Sequence, residues 1–236
     1  MMKRARTWFL AVLGSLTLSA GEIPGEIAHY PMRDGRGTRV KEAHRRLAPG
    51  IVKHSAWIVR DKLPLLDFGG KKETAEAFVE LPEIDFKGGF TIALWINAYR
   101  WQENWAGIVY RSDATYGLRG NAKSPGQLHF RVKDAEAQRG VDLNSKTILE
   151  HGRWYHVAAV FDPGKSMQLY LDGKLDNATT VRIPVDLAVD QQRLRLGGSG
   201  KKNHFAGTMT DLHLFGRALS AEEIAGLYES ENRFKR

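Results

Sequence analysis

From about residue 25 onward, apolar and polar positions alternate with a period of two, the repeat of a strand that buries one face. In residues 127–133, Leu128, Phe130 and Val132 fall on one side, and Gln127, His129, Arg131 and Lys133 on the other. This predicts an antiparallel strand with one wet face. Residues 90–96 group Phe90, Ile92, Leu94 and Ile96 but place Trp95 opposite them, which predicts a strand covered on both sides. Residues 166–172 alternate again and run into Asp172-Gly173, a pair that accepts the positive φ of a tight hairpin. Further strands are predicted near 64–68, 76–81, 107–112, 116–120, 141–149, 154–162, 176–183, 193–197 and 207–215. Short strands at this spacing, punctuated by turn residues, make an all-β sandwich or barrel. Residues 33–50, rich in Arg, Lys and Gly, break the pattern and are expected to form a long loop.

One helix is expected, at the end. Ser220-Ala-Glu-Glu223 is a capping box, Leu219 and Ile224 occupy its staple positions, and Ile224, Leu227 and Tyr228 form an apolar stripe for docking on the sandwich.

Composition changes the picture in three ways. The N-terminus reads as an export signal: basic Lys3, Arg4 and Arg6, an apolar run from Trp8 to Leu18, then small residues Ser19-Ala20-Gly21. That run is shorter than the roughly 20 residues of a membrane span, and no later segment reaches that length. Cleavage after Gly21 lowers the formal charge from +8 to +5 and leaves residues 22–236 as one domain. At 42% hydrophobic, the chain can bury a core by itself. The absence of Cys excludes disulfides and leaves sheet packing to hold an exported fold.

No catalytic residue is expected. Gly197-Gly-Ser-Gly200 is followed by Lys201 rather than Gly, which argues against a nucleophile elbow, and Arg195 in place of Gly with Lys202 in place of Ser or Thr argues against a phosphate loop. His151 and His156, at i and i+5 on a strand, point to opposite faces and make a poor metal pair. Nucleic-acid binding is not expected, as the sequence offers no helix–turn–helix, zinc finger or basic helix. Aromatics supply the binding candidates. Tyr99, Trp101 and Trp105 crowd one predicted loop beside Arg100, Gln102, Glu103 and Asn104, a mixture suited to stacking on a sugar ring and bonding its hydroxyls. Trp101 is expected to be the exposed ring, Trp105 either a ligand contact or a plug of the core end, and Tyr116 and Arg119 to line the same edge. The faces carrying His129, Arg131 and Tyr170 are the next place to look. Basic clusters at Arg33, Arg36, Arg39, Lys41, Arg45 and Arg46, at Lys71-Lys72 and at Lys201-Lys202 are either a patch for anionic polysaccharide or ordinary solvated charge.

Four stretches resemble the laminin G-like jelly-roll family of bacterial secreted proteins, in the family's order. They are Ile27-Ala-His-Tyr-Pro-Met-Arg-Asp-Gly-Arg-Gly-Thr38; Asp85-Phe-Lys-Gly-Gly-Phe-Thr-Ile-Ala-Leu-Trp-Ile96; Gly152-Arg-Trp-Tyr-His-Val-Ala-Ala-Val-Phe-Asp162 with Leu169-Tyr-Leu-Asp-Gly-Lys174; and the closing run from Phe205 through Asp211 and Arg217-Ala-Leu-Ser-Ala-Glu-Glu-Ile224. The resemblance implies two curved antiparallel sheets packed face to face. It also implies a structural calcium at Asp211, completed by carbonyls near Gly69 and the first strand, unless Asp211 only hydrogen-bonds beside Arg217. Residues 68–78 depart from the family by losing an acidic pair and gaining Lys71 and Lys72. Enzymes of similar fold carry E-x-D-x-x-E on one strand; here Glu83-Ile-Asp85 is followed by Gly88 where the second Glu should stand.

The expected molecule is therefore an all-β, two-sheet antiparallel jelly-roll sandwich with a short C-terminal helix. It is read as an exported, non-catalytic module, periplasmic or extracellular, that binds a polysaccharide or glycoconjugate, with anionic glycans included. The alternatives are a protein-interaction or assembly domain of an envelope complex and, third, a divergent glycan-active enzyme.

Overall fold

The computed structural model describes residues 23–60, 62–69, 77–101, 105–113, 115–134, 140–181, 187, 190–198, 203–231 and 234. The expected export signal, Gln102 to Asn104, Lys71-Lys72 and Lys201-Lys202 lie outside the described residues. In chain order the elements are β1 (Glu26–Tyr30), β2 (Arg39–Val40), β3 (Gly50–Lys53), β4 (Ala56–Arg60), β5 (Leu63–Asp67), β6 (Phe78–Glu80), β7 (Phe90–Ala98), β8 (Gly107–Tyr110), β9 (Tyr116–Asn121), β10 (Ser124–Lys133), β11 (Gly140–Ile148), β12 (Trp154–Asp162), β13 (Ser166–Leu171), β14 (Lys174–Thr180), β15 (Arg195–Leu196), β16 (Gly207–Phe215) and α1 (Ala221–Ser230).

Two antiparallel sheets form the sandwich expected of the alternation. The first runs β14-β13-β12-β7-β16-β5-β4, and the second β11-β10-β9-β8-β15-β6-β3-β2. On its far edge, β16 is shared: β5 pairs with Thr208–Met209 and β1 with Leu212–Phe215. Where those partners change, β16 bulges against β7 between Thr210 and His213, and Asp211 takes a φ of 51°. A bulge of this kind bends a strand and re-aims its side chains.

The core lies between the sheets. Phe90, Ile92, Leu94 and Ile96 from β7 meet Leu118 from β9 and Leu128, Phe130 and Val132 from β10. β7 is buried along its whole length, because Trp95 on its other face is covered by the Tyr228 and Phe234 rings at 5.6 and 5.3 Å. Helix α1 docks there through Ile224 and Leu227 on Ala93, Ala158, Val160, Tyr170 and Phe215. Its capping box forms as the sequence predicts, Ser220 accepting from the Glu223 amide and Glu223 accepting from the Ser220 amide. The Asp172-Gly173 hairpin also forms, with φ of 48° and 76°.

The long loop expected over residues 33–50 contains the short strand β2, and the edge strand β4 carries no alternation to predict it. Val59 on β4 is 77% exposed, and the strand is held by backbone pairing to β5 and by Trp57, which packs half-buried on the core. Among the described residues, no helix is long and apolar enough to cross a membrane.

Candidate functional site

The helix covers the outer face of the first sheet, and with it Tyr170, which is 3% exposed. That removes Tyr170 as a surface candidate. The outer face of the second sheet is built differently. Pairing sets outward residues side by side in two rows: Gly107, Arg119, His129 and Asn144, then Tyr110, Gly117, Arg131 and Asp142 across β8 to β11. The second row continues through Arg195 and Glu80. Their chain neighbours Leu118, Phe130, Val132, Leu143 and Leu196 point into the core.

Trp105 stands over the first row. The Arg119 guanidinium lies 4.4 Å from its ring centroid, and the His129 ring meets it edge-on at 5.0 Å. Arg119 is buried and fixed from several sides, donating to Asp113 at 2.8 Å and to His129 Nδ1 at 3.4 Å. His129 Nε2 lies 3.1 Å from Asp142, with Arg131 3.6 Å from the same oxygen. Hydrogen bonding from His129, together with the Arg131 charge, holds the Asp142 carboxyl below the usual carboxylate range. Tyr110 rests over Gly117, where any Cβ would meet its ring at 2.6 Å. Burial and the nearby Asp113 push the Tyr110 hydroxyl up to about 12, so it stays a neutral donor. The face thus offers an indole, a phenol, amide and imidazole groups, and charges of both signs in fixed geometry. Groups of these kinds can stack on a ring and hydrogen-bond a polar ligand.

Of the five residues expected to bind ligand, Trp105 and Arg119 are brought together and Tyr99, Trp101 and Tyr116 are not. Tyr116 is a correction: it is 2% exposed, in the core against Phe86 and Phe90 at 5.4 and 5.1 Å. It faces inward because Arg119, three positions on, faces outward. Trp101 reverses its expected part, and Trp105 takes the outer-face alternative rather than the plug. Trp101 plugs the sandwich end, packed on the core with its ring edge-on to Phe205 at 6.0 Å. Trp105 takes the outer face. The visible side of Trp101 lines a groove of about 590 Å³ with Arg100, Pro125, Ile148, Glu150 and His151. Tyr99, 39% exposed, turns the other way toward Gly69 and Asp67.

The calcium shell expected at Asp211 and Gly69 is not assembled. Asp67 pairs with Thr208 and the Phe68 amide donates to Gly207, so Gly69 lies about five residues from Asp211 along β16, roughly 16 Å at strand rise. Asp211 is 1% exposed and is met by the Arg33 guanidinium and by His29 Nε2 at 3.6 Å. Calcium wants six to eight oxygen ligands; a guanidinium and an imidazole do not fit that shell. Nor does Arg217 serve Asp211, because it forms a two-pronged pair with Glu223.

Other candidates resolve into structure. Asp85 of the Glu83-Ile-Asp85 run neutralises Arg111, buried between it and Asp190. His156 is buried within β12 and His151 is exposed in the turn before it. Within the first basic cluster, Arg33 pairs with Asp211 and Lys41 lies 3.7 Å from Asp34, so these two cations face acids.

A model of the concanavalin A-like lectin/glucanases superfamily, Laminin_G_3, matches residues 73–225. No curated protein matches the chain in sequence. Among solved structures, the binding domain of Paraclostridial Mosquitocidal Protein 1 is similar at 15% identity and a TM-score of 0.71, over 89% of this chain and 53% of that one. The botulinum neurotoxin serotype D ligand-binding domain in complex with N-acetylneuraminic acid gives 14% identity and a TM-score of 0.66, over 88% and 51%. The binding domain of botulinum neurotoxin DC in complex with rat synaptotagmin II gives 15% and 0.65, over 87% and 51%. The chain spans about half the length of these structures, and at such identity the likeness is one of fold. With the family model matched over more than half of the sequence and both sheets in place, the chain belongs to the concanavalin A-like lectin/glucanase superfamily.

Proposed function

We propose that this protein is an exported carbohydrate-binding module whose binding face is the outer side of the second sheet, centred on Trp105, Arg119, His129, Arg131 and Asp142. The observation that carries this reading is the stack of Arg119 on Trp105 above a row of polar side chains. An indole held rigidly by neighbours offers a flat apolar surface to a sugar ring at little entropic cost, and the flanking groups take its hydroxyls. Two similar folds, in complexes with N-acetylneuraminic acid and with synaptotagmin II, are binders, which supports a module that recognises rather than transforms. Arg131, Arg195, Asp142 and Glu80 mix both signs along one row, so the face suits a neutral or singly acidic glycan better than a polyanion.

The test is a glycan array carrying neutral, sialylated and uronate-containing chains, read with the mature protein and with Trp105→Ala. The wild type is expected to select a glycan class and the variant to lose that signal. Equal signals from the two proteins, or none from either, count against the reading.

Export rests on the basic and apolar residues before Gly21. Protein recovered from its own host is expected to begin near Glu22 on N-terminal sequencing. Recovery of intact Met1 from the cytoplasm would refute export.

A further inference from the structure

On the helix side of the molecule, remote from the proposed glycan face, histidines and carboxylates converge where β1, β16 and the end of α1 meet. His29 and His213 are direct partners across β1 and β16, and their rings stack at 3.8 Å. His213 is bonded at both nitrogens, Nδ1 to Glu26 and Nε2 to Glu231, each at 2.6 Å. The β16 bulge turns Asp211 toward the same spot, with its Oδ1 3.6 Å from His29 Nε2. One ligand atom each from His29, Asp211 and Glu231 lies within 4.8 Å of the others.

Two features of this cluster lack an explanation within the fold. Glu231 is a buried carboxylate, 7% exposed, at the C-terminal cap of α1, where the helix dipole disfavours negative charge. Among the described residues, its Oε2 and the Nε2 of His29 are both buried without a hydrogen-bond partner. A buried, unpaired carboxylate oxygen beside an unpaired imidazole nitrogen is costly in a structural network. An imidazole nitrogen and a carboxylate oxygen so placed are the donor types that a metal ion takes.

From this geometry we infer that the cluster is a binding site for a divalent transition cation of the zinc class, held by His29, Asp211 and Glu231. Ligands at about 2.0–2.2 Å in a tetrahedron stand roughly 3.3–3.5 Å apart, close to the observed separation of His29 and Asp211. Imidazole with two carboxylates suits zinc and its neighbours, whereas calcium and magnesium ask for oxygen alone. His213 and Glu26 then act as positioning residues: His213 donates to Glu231 and fixes that carboxylate, and Glu26 fixes His213. Arg33, donating to the other oxygen of Asp211, orients the third ligand in the same way. The side chains of His29 and Arg33 are 19% and 18% exposed, which leaves the ion a path from solvent. The fourth position falls to water.

The experiment is titration of the metal-free mature protein with Zn2+, Co2+ and Ca2+, reading bound metal after dialysis and the melting temperature. One equivalent of zinc is expected to stay bound and raise the melting temperature, with calcium doing neither. Bound Co2+ should show the intense visible bands of a four-coordinate site in the unmodified protein, so the result does not depend on a variant folding. His29→Gln and Glu231→Gln should each weaken zinc binding at least tenfold. Zinc retained equally by both variants, no zinc retained by the wild type, or a calcium response in place of a zinc response overturns the site.

Discussion

Replacing Tyr116 by alanine is expected to destabilise the fold by about 3–5 kcal/mol, the usual loss for emptying a buried aromatic position. Its ring closes an aromatic group with Phe86 and Phe90, themselves stacked at 4.5 Å, so the cavity would have rigid walls that cannot collapse. Tyr116→Phe keeps the ring and should lose less than about 1 kcal/mol. Trp101→Ala should cost about 3 kcal/mol by uncovering Phe205 at the sandwich end. Urea unfolding of the three variants measures these losses. In folded molecules of either alanine variant, glycan affinity should be unchanged. Near wild-type stability for Trp101→Ala, with affinity lost, would return the binding site to the Trp101 groove.

Acidification is expected to destabilise the protein through His156. Both ring nitrogens are buried without a hydrogen-bond partner among the described residues, under Trp95 and Tyr228. Burial, and then the charge of nearby His213 against a weaker opposing pull from Asp211, push the imidazole down to about 3. In the unfolded chain it titrates near 6.5. Between those values the unfolded state binds a proton that the native state refuses, so stability falls as pH falls. The loss is about 2 kcal/mol from pH 7 to pH 5 and about 4 kcal/mol by pH 3; above pH 7 this group contributes nothing further. His156→Leu removes the titrating group, and the gap between the two proteins' urea midpoints should therefore widen in its favour on going from pH 7 to pH 5. A gap that stays constant with pH would show that His156 takes up its proton as readily in the fold as in the unfolded chain, and would contradict its depressed titration.

Much of this architecture could be read from the chain because strand alternation is a local signal. The core of β10, the doubly covered β7, the Asp172-Gly173 turn and the Ser220 cap each depend on residues a few positions apart. The edge strand β4 was hidden because both of its faces are partly wet and no alternation marks it. Sites are another matter, since they depend on register. One loop contains both Trp101 and Trp105, and only the pairing of β8 with β9 decides which ring enters the sandwich end. Alternation within β9 alone places Tyr116 opposite to Arg119, and counting the parity of those two positions would have excluded Tyr116. The facing of His129 and Arg131 was legible, whereas Asp142 joins them only through the β10–β11 register. His29, Asp211, His213 and Glu231 lie near opposite ends of the chain, and no spacing in the sequence links the first strand to the last.

The claim that matters most is that recognition happens on the outer face of the second sheet. Its most direct test is calorimetric titration of the array-selected glycan into wild type and Trp105→Ala. Losing a central aromatic anchor should weaken binding by about 1–3 kcal/mol, roughly 5- to 150-fold, while the melting temperature moves little. Unchanged affinity in a folded Trp105→Ala protein would contradict the account.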